Sequence, residues 1–143
     1  MPLMNRVGCV VIGLLLGLDA NGTAADVVAV VSAKNPVTTL SKNQVVDIFL
    51  GKTSRFPDGS PAVPIDQVEA SAARDEFYAS FVGKSPAQLK AYWSKIIFTG
   101  RGQPPKEVAS SAEVKKLIAR NPNAIGYIEQ NMVDGSVKVL LAK

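Results

Sequence analysis

Histidine is absent from the chain, and cysteine occurs once, at Cys9. Without histidine there is no Ser-His-Asp or Cys-His nucleophilic centre. The usual zinc sites, built from His and Cys, go with it. The carboxylates Asp58, Asp66, Asp75 and Glu76 lack the dense alternating spacing of a calcium loop, and no Gly-rich phosphate loop or dinucleotide fingerprint is present. Aromatic residues are only 6% of the chain, and no run of five or more basic residues occurs. These absences point to binding instead of catalysis, with no metal and no cofactor, and they leave little for a nucleic-acid partner to use.

What is present suits one globular domain. The chain has 143 residues, 47% of them hydrophobic, and a chain of this size buries roughly two thirds of its unfolded surface. The N-terminus reads separately. Arg6 precedes a twelve-residue apolar stretch, Val7 to Leu18, and Thr23-Ala24-Ala25 offers small residues for cleavage before Asp26. A membrane span takes about 20 apolar residues, so the expectation is a cleaved signal peptide over residues 1–25, with a periplasmic domain over residues 26–143. Cleavage removes the only cysteine, so the exported chain has no disulfide and relies on core packing. The net charge of +4 survives cleavage, since Arg6 and Asp19 leave together. A modest positive field favours small anions or an acidic surface.

Along the exported chain, Val27 to Ser32 (VVAVVS) reads as a strand buried on both faces, the usual state in a parallel sheet. Three capping boxes follow, at Ser41–Gln44, Ser85–Gln88 and Ser110–Glu113. The first starts a helix with Val45, Ile48 and Phe49 on one face, and Gly51 is its natural left-handed terminator. Ala62 to Ile65 reads as a second strand. Ser71 caps a helix carrying Phe77, Tyr78 and Phe81, which ends at Gly83. The helix after Pro86 carries a broad apolar face of Leu89, Tyr92, Trp93, Ile96 and Ile97. Residues 101–105 read as a loop, Val114, Leu117 and Ile118 as an inward helix face, and Ala124 to Ile128 and Val137 to Leu141 as strands. The order β-α-β-α-α-α-β-β predicts a three-layer α/β domain. In such sheets ligands sit at strand ends beside helix N-termini. Two junctions qualify: the loop after Ser32, and the segment Asp66 to Arg74.

Several of these residues also resemble a known family. Leu40-Ser41, Val46-Asp47-Ile48-Phe49-Leu50-Gly51-Lys52 and Phe56, then Asn121-Pro122-Asn123-Ala124-Ile125-Gly126-Tyr127-Ile128-Glu129, resemble the second lobe of phosphate-binding proteins of ABC importers. The resemblance covers nearly all of the exported chain. It implies a three-layer αβα single lobe of a type II periplasmic-binding-protein-like fold, with phosphate or a related oxyanion as ligand and an ABC importer or another periplasmic protein as partner. The candidate ligand residues are Ser32, Gln67, Ser71 and Arg74: Ser32 and Gln67 come from the strand-end rule at the two junctions, Ser71 stands at the family's serine position, and Arg74 substitutes for its arginine.

Two departures bear on activity. The family has two lobes that close on the ligand, and this chain is long enough for one. The family's Ser-Gly-Thr becomes Ser71-Ala72-Ala73, and Asp66-Gln67 fills the region of its upstream arginine. Each charge-assisted hydrogen bond lost costs roughly 1.5–3 kcal/mol. The resemblance therefore leaves two readings: an oxyanion binder that is weak or acts with a partner, and a ligand-free interaction module on the same lobe, self-association into a two-lobed pair being one form of it. At the level of single residues, Ser71 reads first as an ordinary N-cap. Arg74 reads equally as a surface partner of Asp75 or Glu76 and as a ligand contact. Phe49, Trp93 and Tyr127 read as core, while Phe56 is open between packing and contact.

Overall fold

The computed structural model describes residues 26–140. The expected signal segment, Cys9 and Leu141 lie outside the described residues. Five strands form one mixed sheet in the order β3-β2-β4-β1-β5. They are β1 (Val27–Ser32), β2 (Val63–Gln67), β3 (Lys106–Val108), β4 (Ala124–Glu129) and β5 (Val137–Val139). Four helices join them: α1 (Lys42–Phe49), α2 (Ala72–Phe77), α3 (Pro86–Phe98) and α4 (Ser111–Arg120). Among the described residues no helix is long and apolar enough to cross a membrane.

The pleat sorts the core into two layers. Ala29 and Val31 of β1, with Ile125 and Tyr127 of β4, face α1, α2 and α3. Val30, Ala124 and Ile128 point the other way, onto Val114 and Ile118 of α4. Alternate side chains on a strand leave by opposite faces, so one apolar run feeds both layers. This is the expected αβα architecture.

One expectation about β1 is corrected. Its unbroken apolar run does mark burial on both faces, but β1 is antiparallel to both neighbours, β4 and β5. The parallel pairings are those of β2, with β4 on one side and β3 on the other. Continuous hydrophobicity reports covering by helices on both sides; strand direction is set by the connections, which hydrophobicity does not encode.

The local signals mostly hold. Ser41 and Ser85 form complete reciprocal capping boxes, and Pro86 opens α3. Ser110 accepts from the Glu113 N–H, but the Glu113 side chain turns to Lys116 at 3.5 Å, so the third box is only half made. After α1, Gly51 takes φ 74°. Its N–H bonds Ile48 O at 3.2 Å, and the Lys52 N–H bonds Asp47 O at 2.8 Å, the paired bonds of a Schellman stop. Phe56 belongs to the core. β3 was not foreseen: its three residues fall in a segment too short and too polar to carry a period. The predicted face of α3 is narrower than drawn, with Leu89 and Trp93 buried while Ile97 is 53% and Phe98 92% exposed.

The helix after Ser71 changes form midway. α2 stops at Phe77, and Tyr78–Val82 forms a π-turn, closed by the Gly83 N–H on Tyr78 O at 2.7 Å. Two consecutive aromatics at the junction, Phe77 and Tyr78, are buried.

Gly126 sits where α4 meets β4. A Cβ there stands 2.5 Å from Val114 Cγ1 and 3.1 Å from Ile118 Cδ1. Neither a β-branched valine nor the facing strand yields readily in a packed core. We expect Gly126→Ala to destabilise by about 1–3 kcal/mol through overpacking. Gly135→Ala, with nothing within 4 Å of the added atom, is expected to stay within about 0.5 kcal/mol. Urea denaturation of both variants checks this, and equal effects refute the packing argument.

Candidate functional site

The carboxyl end of β2 is polar yet buried. Asp66 and Gln67, its last two residues, are 2% and 1% exposed. A charged carboxylate in such a place must be matched by donors. Four converge on it. The Tyr78 hydroxyl donates to Asp66 Oδ2 at 2.5 Å, and the Tyr127 hydroxyl donates a short bond to Oδ1. The Gln67 N–H reaches Oδ1 at 2.8 Å, and Arg74 Nη1 stands 3.7 Å from Oδ2. The π-turn delivers Tyr78 to this point, and β4 delivers Tyr127.

Gln67 binds the same region together through its amide. Its Nε2 donates to Ser111 Oγ at 3.1 Å and to Tyr127 O at 2.9 Å, while its Oε1 accepts from Ser71 Oγ at 2.7 Å. Ser71 also caps α2, accepting the Arg74 N–H at 3.3 Å. Arg74 does not pair with Asp75 or Glu76, as the surface reading had it. Its Nη1 donates to Gln67 O at 2.7 Å and to Glu107 Oε2 at 2.9 Å, and its guanidinium lies 5.5 Å from the Tyr78 ring centroid.

Burial pushes the Asp66 carboxyl above its ordinary value of 3.8, against the opposing pull of Tyr127, Tyr78, Arg74 and the Gln67 N–H. Burial likewise raises both tyrosine hydroxyls, and the Asp66 charge beside them adds to the rise. Burial opposes the charge on Arg74, but Asp66 and Glu107 outweigh it and hold the guanidinium above its ordinary value.

Of the four sequence-predicted ligand residues, the structure brings together Gln67, Ser71 and Arg74. Ser32 is elsewhere. β1 runs antiparallel to β4, and β4 runs parallel to β2, so Ser32 lies at the opposite end of the sheet. There its hydroxyl accepts the Lys34 N–H at 3.1 Å. The strand-end rule for ligand sites assumes a common strand direction, and β1 breaks it. Asp66 as the hub, and Tyr78, Tyr127, Glu107 and Ser111 around it, were missed as site residues. The sequence signal available was an aspartate directly following the apolar run Ala62 to Ile65, a charge that demands partners if buried.

The network opens on one side into a groove of about 460 Å³. Its lining includes Asp66, Arg74 and Tyr78 of the network, the carboxylates Glu69, Asp75 and Glu107, and Lys84, Lys90 and Trp93. Among the described residues no group of three or more His, Cys, Asp or Glu side chains is placed to hold a metal ion.

The raised Asp66 value has a sign that can be checked. Between 3.8 and the folded value, the folded chain keeps a proton that the unfolded chain has released. The stability Asp66 contributes is therefore full below 3.8 and is lost as pH rises through the folded value. Asp66→Asn removes this dependence. We expect the unfolding free energy of wild type minus that of Asp66→Asn to fall between pH 3 and pH 7; urea denaturation across that range measures it, and a difference that rises with pH refutes the assignment.

Comparison with known proteins matches this architecture. No family model and no curated protein matches the chain. Solved structures do. A Clostridium perfringens protein assigned as a phosphate ABC transporter substrate-binding protein, solved with bound phosphate, is 25% identical with a TM-score of 0.65, over 82% of this chain and 45% of its own. An ABC-type phosphate transport receptor from Vibrio cholerae gives 22% and 0.64, over 81% and 45%. PstS from Borrelia burgdorferi gives 14% and 0.63, over 83% and 47%. The chain thus spans less than half the length of each. The α/β architecture described above is that of a single lobe of phosphate ABC transporter substrate-binding proteins, and it is to that family that this chain is similar.

Proposed function

We propose that this chain is a solute-binding-type lobe that serves as an interaction module, its own Asp66 carboxylate filling the place where such a lobe would offer donors to an oxyanion. The observation that carries this reading is the convergence of Tyr78, Tyr127, the Gln67 N–H and Arg74 on that one carboxylate. These are the donors a phosphate would need, and they are already matched. An incoming dianion would also meet the Asp66 charge itself, in surroundings where charge repulsion is poorly screened.

The residues nominated as ligand contacts are engaged in the same way. The Gln67 amide is bonded at both ends, and the Ser71 hydroxyl both donates and accepts. Gly and Thr, which would add backbone approach and a hydroxyl, are replaced by Ala72 and Ala73. The partner proposed is a protein met after export, in the periplasm, the relatives' association with ABC transporters making an importer one such protein. Export itself is proposed from residues 1–25. No enzymatic role is proposed.

A second reading keeps one observation in its favour. The Arg74 side chain retains 12% exposure and lines the groove, with Lys84 and Lys90 also in the lining. Weak oxyanion binding at that edge is the alternative, with phosphate as the ligand the relatives suggest.

Isothermal titration calorimetry with inorganic phosphate and sulfate separates the two. We expect no saturable heat from the wild-type protein at millimolar anion, where even a Kd of 1 mM corresponds to only about −4 kcal/mol. Saturable binding lost in Arg74→Ala would overturn the interaction reading in favour of the oxyanion one.

A further inference from the structure

The groove above Asp66 is lined by both signs of charge, drawn from different elements. Its carboxylates Glu69, Asp75 and Glu107 come from the β2–α2 junction, α2 and β3, whereas its lysines Lys84 and Lys90 come from the turn before α3 and from α3. Trp93, Ile97 and Pro104 add apolar lining. Phe98, the last residue of α3, is 92% exposed and directly follows Ile97, a half-exposed residue of the lining.

Single exposed apolar residues are ordinary on a protein surface. Phe98 differs by its position: it follows the residue that lines the groove and projects from the last turn of α3 with nothing packed on it. The groove volume of about 460 Å³ lies within the range of about 300–1,000 Å³ in which clefts admit ligands of this size.

From these features we propose that the groove docks a second copy of this chain, in an isologous pair in which Phe98 of each copy enters the groove of the other. The proposal rests on the interaction reading above and names its partner. A two-fold contact places one patch against itself, so the patch must be self-complementary. A patch whose acids come from the β2–α2 region and β3 and whose lysines come from α3 and the turn before it satisfies that requirement: rotation sets the lysines of one copy against the carboxylates of its mate. A groove of one charge would repel its own copy. The apolar lining gives the contact an aromatic anchor in a desolvated pocket, the arrangement that dominates interface energetics.

The test is sedimentation equilibrium on the protein purified after export, over a range of concentrations. Wild type is expected to show a monomer–dimer equilibrium. Phe98→Ser, which removes no core contact, is expected to weaken the dimer about tenfold or more with an unchanged thermal midpoint for the monomer. Lys90→Glu is expected to weaken it as well, and high salt to weaken the wild-type dimer. A wild-type protein that stays monomeric, or a dimer indifferent to both substitutions, overturns the proposal. Phosphate calorimetry on the wild-type protein beside its sedimentation tells the two readings apart. Phosphate binding by a dimer-forming protein sinks the interaction reading while leaving this contact standing; a silent titration with a strict monomer sinks the contact alone.

Discussion

A carboxylate placed in the interior of a small domain constrains everything near it. Asp66 is almost fully buried, and a buried charge without partners is far more costly than the modest stability of such a domain tolerates. The chain answers with two hydroxyls, one backbone N–H and a guanidinium. Those donors come from four places: β2 itself, α2, the π-turn and β4. The hydroxyls and the N–H must come within hydrogen-bond reach of the same two oxygens and the guanidinium within ion-pair distance, so the carboxylate fixes how the helical layer sits on the sheet. Gln67 extends the constraint through the sheet to the start of α4 by way of Ser111.

The aromatic cluster on the helical face is the apolar counterpart of that hub. Phe77 lies flat on Tyr127, with ring centroids 4.1 Å apart and planes 4° from parallel. Phe49 of α1 approaches Phe77 at 4.8 Å, and Phe81 stacks on its other side at 4.9 Å. Phe77 packs on the ring of Tyr127, and Tyr78, the first residue of the π-turn, reaches the same carboxylate as the Tyr127 hydroxyl. Tyr127 therefore belongs to both systems, its ring to the core and its oxygen to the polar network.

Most of the scaffold was legible from residue patterns, because those patterns have local causes. A serine three residues before a glutamine announces a cap, and a glycine after an apolar helix face announces a stop. Ser41, Ser85 and Gly51 behave accordingly. What stayed hidden depends on contacts between distant residues. The antiparallel setting of β1 follows from β4 and β5, about 100 residues away. The short β3 exists only because β2 offers it an edge. The site was legible in location and not in content: Gln67, Ser71 and Arg74 do meet, but the residue that organises them, Asp66, reads in sequence as a charge directly after an apolar run. Ser32 was placed by a rule for parallel sheets that its own strand does not obey.

The same distinction decides how far likeness to phosphate-binding proteins reaches. The residues that carry the resemblance, from Val46 to Lys52 and from Asn121 to Glu129, are core, cap and turn residues. They specify how helices and strands pack, and the architecture follows them. Affinity for an anion depends on a handful of donors left unmatched until the ligand arrives. Here the donors at the end of β2 are matched internally, and the groove above them offers the titratable side chains Asp66, Glu69, Asp75 and Glu107 against Arg74, Lys84 and Lys90. Counted as charges, the lining is four negative to three positive. On the reading proposed above, a lining of both signs suits a partner that brings both signs in the reverse arrangement better than it suits a small dianion.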